Sequence, residues 1–134
     1  MMFRNEYNYL SNMYLTDIKV GNIIYPSVEN AFQAIKCANV NDRIKFVNIS
    51  PVEAKKLGRK INMRPDWDKI KVDVMYVLVK NKFLNNDTIK NKLCDLDCDI
   101  QEDNSWNDTF WGVCNGVGSN YLGKILMKVR DELK

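Results

Sequence analysis

Asp17-Ile-Lys-Val-Gly-Asn-Ile-Ile-Tyr-Pro-Ser-Val-Glu-Asn-Ala-Phe-Gln-Ala-Ile-Lys-Cys37 changes its hydrophobic period partway along, and that change decides the fold class. Two β-prone runs, Asp17–Val20 and Ile23–Tyr25, flank the turn pair Gly21-Asn22, the pattern of a tight hairpin. Pro26 and Ser27 then open a helix running to about Cys37, because Val28, Ala31, Phe32 and Ile35 recur at helical spacing. Glu29, Gln33 and Lys36 share an adjoining polar face, since residues four and seven apart lie one above another on a helix.

Downstream, helical signals dominate. Ser50-Pro51-Val52-Glu53 combines a capping serine, a proline at the first helical position and a reciprocal glutamate, and Gly58 supplies the stop. From Asp66 to about Lys82 a longer helix is predicted, with Trp67, Ile70, Val74, Val77 and Leu78 as its core stripe. Asn86-Asp87-Thr88 caps a helix towards Leu96, and Leu122, Ile125, Leu126, Val129 and Leu133 mark a final one. Between them, Asp97 to Asn120 lacks a helical period and reads as short strands and loop. The expected architecture is therefore α+β and mostly helical, one compact domain over residues 1–134 with a small N-terminal β-hairpin. No repeat, low-complexity tract or linker interrupts it.

With 46% hydrophobic and 28% charged residues, the composition is that of a globular protein rather than a disordered or membrane-embedded one. No apolar stretch approaches bilayer length and the first residues lack a leader pattern, so a cytoplasmic location and no membrane partner are expected. Cys37, Cys94, Cys98 and Cys114 are scattered, which suits free thiols, and the Cys94 to Cys98 interval is wrong for a zinc knuckle. The absence of histidine removes Ser-His, Cys-His and imidazole acid/base mechanisms together. No metal and no cofactor are expected. A net charge of +3 suits an anionic ligand but falls far short of a dedicated nucleic-acid binder.

Five fragments stand in a fixed order: Glu29-Asn30-x-Phe32-Gln33-x-x-Lys36; Ala54-x-x-x-Gly58-Arg59; Trp67-x-x-x-Lys71; Glu102-x-Asn104-x-Trp106-x-Asp108-x-x-Trp111-Gly112; and Gly118-x-Asn120-x-Leu122-Gly123-x-x-Leu126-Met127-x-x-Arg130. With Phe3 and Leu10–Tyr14, this order resembles the NADAR (YbiA-like) family over nearly the whole chain. The resemblance implies a YbiA-like domain and an N-glycosidase, acting on phosphoribosylamino intermediates of riboflavin synthesis or removing ADP-ribose from guanine. The implied substrate contains ribose phosphate or ADP-ribose, with ADP-ribosylated DNA or RNA as one form of it. A non-catalytic module binding ADP-ribose or an NAD-derived nucleotide is the alternative. The sequence departs from the family pattern in having Asn30 where many members carry histidine, and Asn107 where glycine is common.

Breaking a ribose–nitrogen bond leaves positive charge on the ribose carbon, so carboxylates and an activated water are the useful tools. Glu29, Asp108 and Glu102 are the candidates. Glu29 lies in a first turn, where the helix dipole favours its ionised form, although acids occupy first turns for that reason alone as well. Lys36 is expected beside Glu29 as the amine nucleophile, the plain alternative being a solvated lysine. Asp108 stands between Trp106 and Trp111, whose rings can stack on a base or simply fill the core. Arg59, in a basic run with Lys60 and Arg64, suits phosphate oxygens. Asn30, Gln33, Glu102, Asn104, Gly118 and Asn120 are assigned to positioning substrate. The catalytic set is Glu29, Lys36 and Asp108.

Overall fold

The structure is a computed structural model describing residues 1–134. It contains α1 (Val28–Ile35), α2 (Pro51–Gly58), α3 (Trp67–Leu84), α4 (Asp87–Cys94) and α5 (Tyr121–Leu133), and the short strands β1 (Ile18–Val20), β2 (Ile23–Tyr25), β3 (Asp103–Asn104) and β4 (Val113–Cys114). Two 3-10 helices, Asn5–Leu10 and Val40–Phe46, complete it. The class is α+β and mostly helical, as the periodicity predicts. Two compact units are distinguished: Asn12–Lys82, and Met1–Ser11 together with Phe83–Lys134.

In the first unit, β1 and β2 pair antiparallel with Ile18 opposite Tyr25, both buried, while Gly21 takes a positive φ of 60° in the turn. Ser27 caps α1 by accepting a hydrogen bond from the Asn30 amide. The capping box of α2 is complete: the Ser50 hydroxyl accepts from the Glu53 amide, and the Glu53 carboxylate accepts from the Ser50 amide. α1 packs on both α2 and the Val40–Phe46 helix. Phe32 meets Trp67 at the start of α3, with ring centroids 4.8 Å apart.

The buried stripe of α3 differs from the predicted one. Trp67 and Leu78 are enclosed as expected, but the remaining buried positions are Met75, Val79, Lys82 and Phe83, whereas Val77 is 60% exposed. Ile70, Val74 and Val77 instead line an open groove of about 480 Å³ beside Lys19–Gly21 of the hairpin. Periodicity is ambiguous here because α3 carries apolar residues on more than one side, so no single stripe stands out.

In the second unit, α4 packs on α5 and the buried apolar residues include Tyr9, Leu10, Ile89, Leu93, Ile100, Leu122, Leu126 and Val129. Arg130, itself 8% exposed, donates from Nη1 to the carbonyls of Leu96 and Cys98 at 2.7 Å each. That tie holds the loop after α4 against α5. β3 and β4 pair in parallel, Asp103 opposite Val113 and Asn104 opposite Cys114. No helix is long and apolar enough to cross a membrane.

Lys82 has a measurable consequence. It is 1% exposed, and burial lowers the pKa of its ammonium from the usual 10.5 to about 7. Between those values the folded state binds fewer protons than the unfolded state, so this residue's contribution to stability rises with pH across the window, and below about pH 7 its penalty is fully present. We expect any stability advantage of Lys82→Met over the wild type to shrink by a few kcal/mol between neutral pH and pH 10. Urea unfolding of both proteins across that range checks this; a pH-independent difference would contradict it.

Candidate active site

The first unit gathers Glu29, Asn30, Gln33, Lys36 and Arg59. Burial surrounds α1, so its polar side chains are bonded within the protein. Asn30 is fully enclosed: its side-chain oxygen accepts from the Ser27 hydroxyl at 2.6 Å, and its amide donates to the carbonyls of Phe46 and Ile49 at 2.9 Å each. The residue expected to orient substrate therefore fastens the Val40–Phe46 segment to α1.

Glu29 and Gln33 are each 9% exposed, and the Gln33 amide donates to Glu29 Oε1 at 2.9 Å. The Glu29 amide donates to the Asn12 carbonyl at 3.0 Å, which anchors the helix start. A carboxylate held by an amide in this way is fixed in orientation. Lys36 shares this face but reaches Glu29 through Gln33. Its ammonium donates to the Gly58 carbonyl at 2.8 Å and to Gln33 Oε1 at 3.4 Å. Burial lowers its pKa, the charge of Glu29 opposes that, and the nearby Arg59 reinforces it. Arg59 is exposed at the end of α2, as is Lys60, whereas Arg64 is paired with Asp66 through two hydrogen bonds.

Gly58 explains how α2 comes so close. A Cβ at this position would overlap Oε1 and Cδ of Gln33, so any larger residue must displace the side chain that holds Glu29.

The second unit holds Glu102, Asn104, Trp106, Asp108, Trp111, Gly118 and Asn120. Asn104 spans its own loop: its amide donates to the Asp108 carbonyl at 2.8 Å and its oxygen accepts from the Asp108 amide at 3.1 Å. Asp108 Oδ1 accepts from the amides of Phe110 (3.2 Å) and Trp111 (2.9 Å). One oxygen of the proposed catalytic acid therefore organises the loop. Asn107 has a φ of 62°, a conformation asparagine tolerates far better than most residues, which accounts for its standing in a glycine position.

Trp106 is 56% exposed, while Phe110 contacts both Trp111 and Tyr121 with ring centroids 4.8 and 4.7 Å away. Asn120, also left-handed, accepts from the Glu102 amide and donates to the Ile100 carbonyl, each at 3.0 Å. Gly118 passes so near Gly112 that a Cβ would overlap the Gly112 carbonyl. These two positions shape the backbone that carries Glu102.

Lys82 escaped the sequence reading. The available signal was its register: it lies four residues after Leu78 and three after Val79, where an apolar side chain belongs. No group of three Cys, Asp or Glu side chains is arranged to hold a metal ion.

Known proteins resemble this chain over nearly its whole length. The NADAR domain family matches residues 2–134. An N-glycosidase of Nostoc punctiforme is 34% identical, covering 96% of this chain and 86% of the relative. The N-glycosidase YbiA of Shigella flexneri is 30% identical over 96% of this chain and 83% of its own. A riboflavin biosynthesis protein of Vibrio vulnificus is 35% identical over 96% of this chain, which spans only 36% of that longer protein. The NMR structure of the E. coli protein YbiA superposes with a TM-score of 0.87 at 29% identity, covering 99% of this chain and 82% of that one.

Two substitutions probe the braces. Gly58→Ala should expel the Gln33 side chain and cost about 1–3 kcal/mol, seen as a shifted Gln33 amide resonance and a lower urea midpoint. Asp108→Ala should cost about 1–2 kcal/mol by leaving two loop amides without an acceptor, whereas Asp108→Asn keeps a carbonyl oxygen there and stays near wild-type stability. Equal losses in the two Asp108 variants would show that the loop depends on charge instead.

Proposed function

The chain belongs to the NADAR family, and on that premise we propose that it is a hydrolase of N-glycosyl bonds, cutting between C1 of a ribose and a base or amine nitrogen. The observation that carries this reading is Glu29, nearly enclosed in the first turn of α1 with one oxygen fixed by Gln33. As the bond to nitrogen breaks, positive charge grows on the ribose carbon, and an oriented carboxylate stabilises it without reorganising. The names of the Nostoc and Shigella relatives, most of whose length this chain covers, support the same bond type.

The substrate is a ribose phosphate or ADP-ribose derivative, either a phosphoribosylamino intermediate of riboflavin synthesis or an ADP-ribosyl-guanine adduct in DNA or RNA. Support comes from the exposed cations Arg59 and Lys60 at the end of α2, suited to phosphate oxygens, and from the Vibrio relative's assignment to riboflavin biosynthesis. Lys36 steadies Gln33 and through it Glu29. The exposed indole of Trp106, on a loop ordered by Asn104 and Asp108, suits stacking on a base. Four free thiols fit a reducing compartment, the cytoplasm.

Incubation with a phosphoribosylamino pyrimidine and, in parallel, with DNA carrying ADP-ribosyl-guanine should release the free amine or base from one of them. Glu29→Gln should slow that release at least about a hundredfold while the protein stays folded. Binding without release from either substrate would replace the hydrolase with a nucleotide-binding module.

A further inference from the structure

Helix α3 carries apolar residues on two sides. Met75, Leu78 and Val79 are buried, whereas Ile70, Val74 and Val77, recurring at i, i+4 and i+7, line the open groove beside the hairpin. A second stripe of this kind belongs to a helix that is packed on both sides. Val77 is 60% exposed, and Ile24, opposite Lys19 in the hairpin register and so on the same face, is 51% exposed. Single exposed apolar residues need no explanation, but a stripe along one groove marks a contact surface.

The charged residues of the groove identify what covers it. Lys19 stands on the hairpin wall and Asp73 on the α3 wall, both exposed, and neither forms an ion pair within the chain. The Asn81 side-chain amide donates to the Lys19 carbonyl at 3.1 Å, which sets Lys19 beside the C-terminal end of α3 in the groove. Asp73 lies a little over two turns before Asn81, about 12 Å along the helix axis. The groove is therefore positive towards one end and negative towards the other. Two-fold symmetry reverses it end for end, so each charge meets its opposite in a second copy while the apolar middle meets itself. A parallel copy would oppose like charges, and an apolar small ligand would leave both charges unmatched.

We propose that this face of α3 is a self-association surface, through which two copies of the chain pair about a two-fold axis running between Val74 and Val77. The two helices lie antiparallel, with Val74 of each copy against Val77 of the other, and Ile70 is level with the other copy's Asn81. Asp73 then approaches the other copy's Lys19, once at each end. The apolar stripe supplies the attraction, which has no direction of its own, and the charges select the antiparallel arrangement by penalising the parallel one. One helix stripe and part of a hairpin make a patch at the small end of specific interfaces, so the pairing depends on concentration. None of the residues assigned to substrate lines this groove, so hydrolysis does not require the pairing.

Sedimentation equilibrium of the full chain over a wide concentration series tests this, with circular dichroism as the control for folding. The wild-type protein should pass from the mass of a single chain towards twice that mass. Val77→Glu, at a position already open to water, should raise the dissociation constant at least about tenfold by setting two carboxylates beside the axis. Lys19→Glu and Asp73→Lys should each raise it about three- to tenfold, and the double variant, in which the two charges are exchanged, should return towards the wild-type value. The mass of a single chain at every concentration would overturn the proposal. A dimer indifferent to Val77→Glu, or one that the paired exchange fails to restore, would do the same. Anilinonaphthalene sulfonate bound by a chain that stays monomeric, and lost in Val77→Glu, would give the groove to a small apolar ligand instead.

Discussion

Seven consecutive residues of α1, Val28 to Ala34, are buried, and three of them are polar. A helix enclosed in this way cannot leave a side-chain amide or carboxylate without a partner, since each would cost on the order of 1–3 kcal/mol or more. The surrounding unit answers that constraint. Asn30 draws in the backbone at Phe46 and Ile49, and Gln33 accepts Lys36 and holds Glu29. The carbonyl of Gly58 receives the Lys36 ammonium, so α2 is placed by the same requirement. The position of the candidate carboxylate is thus a consequence of satisfying α1, not an addition to it.

The second unit solves a comparable problem with turns. Asn107, Asn115 and Asn120 all adopt positive φ, and Asn104 and Asp108 supply the hydrogen bonds that a longer sheet would otherwise provide. β3 and β4 are two residues each, too short to define the loop by pairing alone. Short polar side chains that bond to nearby backbone are therefore the structural material here.

The parts of the fold legible in the sequence were those governed by local chemistry. The Gly21-Asn22 hairpin, the Ser27 and Ser50 caps, the Asn86 cap and the apolar face of α5 all follow from residues close together in the chain. The 3-10 helices at Asn5–Leu10 and Val40–Phe46 were not legible, since such short elements have no hydrophobic period to reveal them. The buried side of α3 differs from the predicted stripe because burial is decided by what packs on a helix, and Val77 faces a groove. At the site, motif order singled out Glu29, Gln33 and Asp108. It was silent on which polar residues brace and which face a ligand, because Asn30 and Asn120 find their partners 16 to 20 residues away.

In the loop after β3, an exposed indole stands among residues whose short polar side chains bond the backbone. Trp106 projects its ring, while Asn104 and Asp108 hold the chain that carries it. Exchange at position 106 therefore alters the presented surface without removing those braces. Surface chemistry at this loop can drift across generations, since position 106 is open to solvent while Asn104 and Asp108 carry hydrogen bonds that the fold must keep.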